Sequence, residues 1–266
     1  MKEGKKVSSF ILYSEVRGVA RVTLNHPQKR NVLGEDLLRL FLKKLKEIKK
    51  NKAIHVLVLA GEGKCFCAGA DLSAMQALSE ASLEENKKDA LLLAQVLYEL
   101  CYFPKPVLAL VHGFAFGGAL GLLSCCDMVI AHPKTEFGFS EVRWGLAPAV
   151  ISPYVISAIG ERQARRYFLT AERFSAETAK DLGLVNLVTE KIEALSDDYI
   201  KMFLENSPAA MAVTKKIISS VVTKEINQTL IKKTVNLNAK MRTSPDGRAG
   251  LKAFSQKTKT YLVLKS

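Results

Sequence analysis

Several absences narrow what this chain is built to do. Its five cysteines are an odd number, which argues against a secreted disulfide framework, and neither Cys65-Phe66-Cys67 nor Cys125-Cys126 has the CxxC spacing of zinc or redox pairs. Buried, reduced thiols and no metal are expected. There is no GxGxxG, and the glycine pair at 117–118 is followed by Ala119, not by the Lys-Ser/Thr of a phosphate loop. No Gly/Ser linker, low-complexity tract or repeat interrupts the chain. The opening MKEGKKVSSFILYSEV carries positive charge but no apolar core of leader length, nor the Arg-rich pattern of an organelle presequence; a cytoplasmic location is expected. Acid is scarce: 26 Asp and Glu stand against 39 Lys and Arg, a net charge of +13, which suits an anionic partner without naming it.

Charge is missing altogether from Pro106 to Cys126. The glycines at 113, 117 and 121 have GxxxG spacing, a helix-dimer pattern in bilayers. Against a membrane span stand the Gly-Gly pair in its middle, His112, and Asp127 immediately after it. A buried strand (VLALVH), a glycine turn and a short buried helix fit better. Such glycines serve close backbone packing, or leave N–H groups free at a helix start to stabilise an oxyanion. Pattern alone leaves both open.

Around this stretch the sequence alternates strand-like and helix-like segments. Phe10–Val16 and Val19–Leu24 flank Gly18 as a hairpin. Glu35 to Lys50 is amphipathic, with Leu38, Phe41, Leu45 and Ile48 on one face. His55–Ala60 is a buried-strand candidate. A Ser82-x-x-Glu85 capping box starts a helix running to about Tyr102. Helical patterns follow near 152–169 and 175–182, then a last strand at Val185–Thr189. From about Glu193 the pattern is helical and basic, with Pro208 at a helix start. An α/β core followed by a helical tail is expected. Residues 43–52 hold six lysines (43, 44, 46, 49, 50 and 52) against Glu47 alone. A solvated helix face is the ordinary explanation. A nucleic-acid surface is the sharper one, though no aromatic residues are interleaved for base stacking.

The stretch 107–148, together with CFCAGADLSAM at 65–75 and NHPQKRNVL at 25–33, resembles the enoyl-CoA hydratase/isomerase (crotonase) family, from about Val19 to about Lys259. The segment 140–174 is similar to a bacterial branch acting on branched, carboxylated enoyl-CoA thioesters, such as methylglutaconyl-CoA hydratase of leucine breakdown. The resemblance implies an α/β spiral of repeated β-β-α units over 1–192, carrying the active site, and a helical trimerisation region over 193–266. It implies a trimer or a dimer of trimers, an acyl-CoA substrate, and no cofactor besides coenzyme A as the substrate's carrier. The backbone N–H groups of Ala70 and Gly118 become the oxyanion donors, and Glu141, after Phe137-Gly138-Phe139-Ser140, the catalytic acid/base. Contacts to coenzyme A carry over to Lys29, Arg30, Ala68, Asp71 and Leu72, and to Phe254 and Lys257 reaching from a neighbouring subunit. An RNA-binding relative carries lysines on the helix corresponding to 35–50. One departure matters. Two-glutamate hydratases have a second glutamate where this chain has Gly121. Hydration with one glutamate, double-bond isomerisation, and water organised by a carboxylated substrate all remain open. Arg143, next to Glu141 in sequence, is a candidate partner for a distal acyl carboxylate.

Overall fold

The computed structural model describes residues 10–222 and 224–257. The expectation about a leader segment therefore lies partly outside the described residues, as does the end of the 193–266 region.

The chain opens with an antiparallel hairpin, β1 (Ile11–Val16) and β2 (Val19–Leu24), in perfect one-to-one register. Helix α1 (Glu35–Lys50) then crosses over to β3 (Val56–Gly61), which pairs parallel to β2. Its bounds are those expected from the amphipathic pattern. Leu37, Leu38, Phe41, Leu45 and Ile48 are buried and its lysines face outward. Each such side chain removed from water contributes about 1.5–3 kcal/mol, an upper estimate.

After β3 come α2 (Leu72–Ser79) and α3 (Leu83–Cys101), the latter begun by the full Ser82/Glu85 capping box. The uncharged stretch then supplies β4 (Val107–Val111), β5 (Phe114–Phe116) and α4 (Gly118–Ser124). It folds as strand, turn and short helix, and no helix among the described residues is long and apolar enough to cross a membrane. Next are β6 (Met128–Ala131), β7 (Glu136–Gly138), a 3-10 turn at Glu141–Trp144 and α5 (Ser152–Thr170). The chain closes with β8 (Arg173–Ser175), α6 (Ala176–Asp181), β9 (Leu187–Val188), α7 (Ile192–Leu204), α8 (Pro208–Val221), α9 (Gln228–Thr243) and α10 (Pro245–Ser255).

Six strands form one sheet in the order β1-β2-β3-β4-β6-β9, parallel throughout after the hairpin. Three short ones form a second sheet, β5-β7-β8. Successive passes lay one strand in each sheet and then a helix, as in β4-β5-α4 and β6-β7-α5. The pass after β3 does the same with a single bridge, Cys67 to Ala115. This is the expected spiral of β-β-α units.

Its central strands read as unbroken apolar runs because both faces are covered. One face meets α1, α3, α4 and α5 in the main core. On the other, Val58, Leu108, Leu110 and Ile130 pack against Leu195, Tyr199 and Phe203 of α7. The first helix of the tail thus lies on the sheet. Helices α8, α9 and α10 bury none of their residues, and Ile218, Val222, Ile226, Val235, Leu251 and Phe254 stay exposed. A polar anchor ties α8 to the core, where Lys215 meets Asp127 and donates to the Lys105 carbonyl.

Candidate active site

Three loops from distant parts of the sequence converge where the sheets meet. The loop at 25–33 is nailed down by Asn31, which is fully buried. Its side-chain amide donates to the carbonyls of Glu62, Cys65 and Phe66 (2.8, 3.0 and 3.1 Å), and its oxygen accepts from the His26 N–H at 2.8 Å. Asn31 holds a positive φ of 55°, which asparagine tolerates better than most residues. The Cys67 thiol, pushed up to about 12 by burial, stays neutral and donates to the Asn31 carbonyl at 3.0 Å. Backbone bonds from Ala68 to Arg30 (2.9 Å) and from Leu33 to Gly69 (2.7 Å) complete the seam.

That seam sets the CAGAD turn against the FGG turn. Gly69 has a φ of +89°, and a β-carbon on it would lie 2.4 Å from the Phe116 carbonyl oxygen and 3.5 Å from the Gly118 nitrogen. Only glycine permits that approach. Ala70 and Gly118 are thereby neighbours, and both line one cavity. Gly118 is the first residue of α4, where a helix N–H has no partner within the helix.

Glu141 reaches the same cavity from the 3-10 turn after β7. Phe139, buried and edge-on to Phe168 at 4.7 Å, anchors the chain just before it. Arg143 anchors it just after, donating to the Ala171 carbonyl at 2.8 Å. The carboxyl rests on Gly117, whose own N–H donates to the Gly138 carbonyl at 3.0 Å. Glu141 Oε2 is buried and has no hydrogen-bond partner among the described residues. Burial raises the acid's pKa above its ordinary value, opposed by the amides of Glu141 and Ser140. An acid raised in this way can carry a proton at higher pH than a solvated one.

The cavity has a volume of about 620 Å³ and is walled by the start of α1, by α2 and α3, and by residues 147–151. Its apolar surface comes from side chains such as Leu38, Met75, Leu78, Leu92, Leu93 and Ile151. Of the expected residues it brings together Ala70, Asp71, Gly118 and Glu141. Asp71 caps α2, accepting from Ser73 and Ala74, and pairs with Lys29 at 3.1 Å. Burial would raise its pKa, but the bonds from Lys29 and the two amides prevail and hold it low.

Lys29, Arg30, Ala68 and Leu72 lie beside the cavity on the same two loops without lining it, and Leu72 is exposed. Phe254 and Lys257 sit in and just beyond α10, exposed and outside this cavity. Arg143 does not meet the expectation of an acyl-carboxylate partner. It does not line the cavity, one of its guanidinium N–H groups donates to the Ala171 carbonyl, and the cations that do line the cavity are Arg39 and Lys88. Arg39 is bound to Glu35, whereas Lys88 has no ion pair among the described residues. On the lysine-rich face of α1, Lys44 pairs with Glu47 and Lys49 with Glu99; the other four lysines of 43–52 have no ion pair among the described residues.

The missing second glutamate has a steric counterpart. A β-carbon on Gly121 would lie 2.5 Å from Ile151 Cγ2 and 3.4 Å from Leu97 Cδ2. Ile151, a cavity residue from the start of α5, occupies the space a side chain at 121 would need. The sequence reading missed Asn31, Ile151 and helix α2. Asn31 alone left a local signal, an asparagine inside a proline-containing loop.

Comparison with known proteins agrees with this architecture. The family model described as enoyl-CoA hydratase/isomerase matches residues 14–262. A crystal structure of an enoyl-CoA hydratase from Shewanella pealeana superposes with a TM-score of 0.93 at 40% identity, covering 94% of this chain and 95% of that one. The short-chain-enoyl-CoA hydratase of Clostridium acetobutylicum is 33% identical over 80% of this chain and 82% of its own length. An enoyl-CoA isomerase/hydratase of Mycosarcoma maydis is 31% identical over 92% and 93% respectively. With two glycine turns and a buried glutamate around one cavity, the spiral fold and a match over nearly its whole length, the chain belongs to the enoyl-CoA hydratase/isomerase (crotonase) family of enzymes.

Proposed function

We propose that this enzyme adds water across the double bond of an enoyl-CoA thioester, with Glu141 as its principal acid/base. The observation that carries this reading is the buried, hydrogen-bond-deficient Glu141 Oε2 in the cavity shared with Ala70 and Gly118. Attack of water on the β-carbon moves charge onto the thioester oxygen. Two fixed amide donors, assigned to Ala70 and Gly118, stabilise that charge because they need not reorient during reaction. Glu141 delivers the proton to the α-carbon. Coenzyme A leaves the cavity past the 25–33 loop, where Lys29 and Arg30 meet its phosphates, and Phe254 and Lys257 of a second copy reach its adenine end.

The acyl group we assign is uncharged. A 3-methylglutaconyl thioester would bring its free carboxylate into a lining where, among the described residues, Lys88 is the one cation without an ion pair, against Glu35, Asp71, Glu85 and Asp89 besides Glu141. The test is product analysis on crotonyl-CoA, 3-methylglutaconyl-CoA and a β,γ-enoyl-CoA, with Glu141→Ala alongside. Hydration of the crotonyl thioester, reduced by about 10²-fold or more in the variant, is expected. Preference for the glutaconyl thioester would reverse the assignment of the acyl group alone.

A second reading is favoured by the occlusion of position 121 by Ile151. One acid/base suffices to move a proton between the α- and γ-carbons. Migration of the double bond without water addition would make the enzyme an isomerase.

A further inference from the structure

Hydration calls for two proton movements: one proton leaves the water, another joins the α-carbon. With Gly121 sterically closed, α4 supplies no second carboxyl group. The neighbouring wall, α3, does. Helix α3 presses Leu93 onto the oxyanion turn, its Cδ2 3.8 Å from where a β-carbon on Gly118 would be. Asp89 stands four residues earlier on α3, on the same face and one turn away, roughly 5–6 Å along the helix. It lines the same cavity as Glu141. The other acids of that lining at the helix starts are engaged: Asp71 caps α2 and meets Lys29, Glu85 closes the capping box, and Glu35 holds Arg39. Asp89 has no hydrogen bond or ion pair among the described residues.

We infer that Asp89 is a second catalytic carboxyl group of this site, binding the water that adds to the double bond. The inference rests on the hydratase reading above. The water oxygen bonds to the β-carbon while one of its protons passes to Asp89. The π pair shifts through the enolate to the α-carbon, which takes the proton held by Glu141. The hydroxyacyl product has gained one water, Asp89 is left protonated and Glu141 ionised, and proton exchange with solvent resets both. Asp89 is exposed at the cavity mouth, where water reaches it; its limited desolvation and the nearby Glu35 charge raise its pKa, in that order.

The test is a comparison of wild type, Asp89→Asn, Asp89→Glu and Glu141→Ala in two assays: hydration of crotonyl-CoA, and double-bond migration in a β,γ-enoyl-CoA, which uses no water. Asp89→Asn should lose about 10²-fold in hydration kcat with migration within about threefold of wild type. The acid limb of its hydration pH profile should disappear, and Asp89→Glu should recover part of the rate. Hydration unchanged in Asp89→Asn, or both reactions falling together, overturns the inference while leaving the hydratase reading intact. A wild type that isomerises without hydrating, or turns over neither thioester, overturns the hydratase reading and this inference with it.

Discussion

Gly117 lies flat against the Glu141 carboxyl: a β-carbon there would come within 2.9 Å of Oε1, on a backbone held at a φ of +52°. The glycine therefore positions the acid as well as turning the chain into α4. In Gly117→Ala the backbone, at φ 52° and ψ −119° and so outside the left-handed helical well, costs about 1–3 kcal/mol, and the methyl group displaces the carboxyl. Because a misplacement near 1 Å costs about 10²-fold in rate, kcat should fall by that order while urea melts show only the backbone cost. An unchanged kcat would mean the carboxyl is not held by this contact.

Restoring the glutamate at position 121 should fail for steric reasons. The Gly121→Glu side chain would start 2.5 Å from Ile151 Cγ2, in a wall that is already packed. Overpacking costs about 1–3 kcal/mol, and burying the carboxylate adds to it. The single variant should be less stable and no faster in hydration. Adding Ile151→Ala should recover stability that Ile151→Ala alone does not give, a coupling readable in a double-mutant cycle. Strictly additive effects would show that Ile151 is not what closes the position.

How far the sequence discloses this molecule depends on the range of each cause. Helix α1 and the Ser82 capping box were legible because periodicity and capping act within a few residues of chain. The turns carrying Ala70 and Gly118 were legible as glycine turns, and Glu141 as a family position. Their meeting in one cavity was implied by the family resemblance alone and not by local pattern, because it depends on the Gly69–Phe116 approach across nearly 50 residues. Strands β5, β7 and β8 are three residues each, too short for alternation to register. Arg143 misled because neighbours in sequence need not share a direction in a 3-10 turn. Helix α5 reads as continuous, yet Gly160 breaks it with a φ of 76°.

Asn31 ties the 25–33 loop to the chain after β3, so its removal should be felt in folding and at the site together. Asn31→Ala strips partners from the carbonyls of Glu62, Cys65 and Phe66 and from the His26 N–H. It also places alanine at a φ of 55°. Stranding buried polar groups costs about 1–3 kcal/mol each where water does not replace the partner, so a loss of about 3 kcal/mol is expected in urea unfolding. KM for the CoA thioester should rise as Lys29 and Ala70 lose their common support. A loss under about 1 kcal/mol would mean that water takes over these bonds.

The burial that tunes Glu141 must leave a pH signature in stability, and its sign is fixed. The folded-state pKa lies above the unfolded carboxylate value, with desolvation the leading cause. Between those two values the native state holds a proton that the unfolded chain has released, so stability falls as pH rises through that window. Below the unfolded value both states are protonated and the penalty vanishes; above the folded value it is complete. Glu141→Gln, which keeps the shape and never ionises, should match wild type in acid and exceed it in stability at neutral pH. Urea midpoints measured on both proteins across that range give the difference directly. A gap that does not change with pH would mean the carboxylate is as well solvated in the folded enzyme as in the unfolded chain. Its fitness as the proton donor in hydration would then need another source than burial.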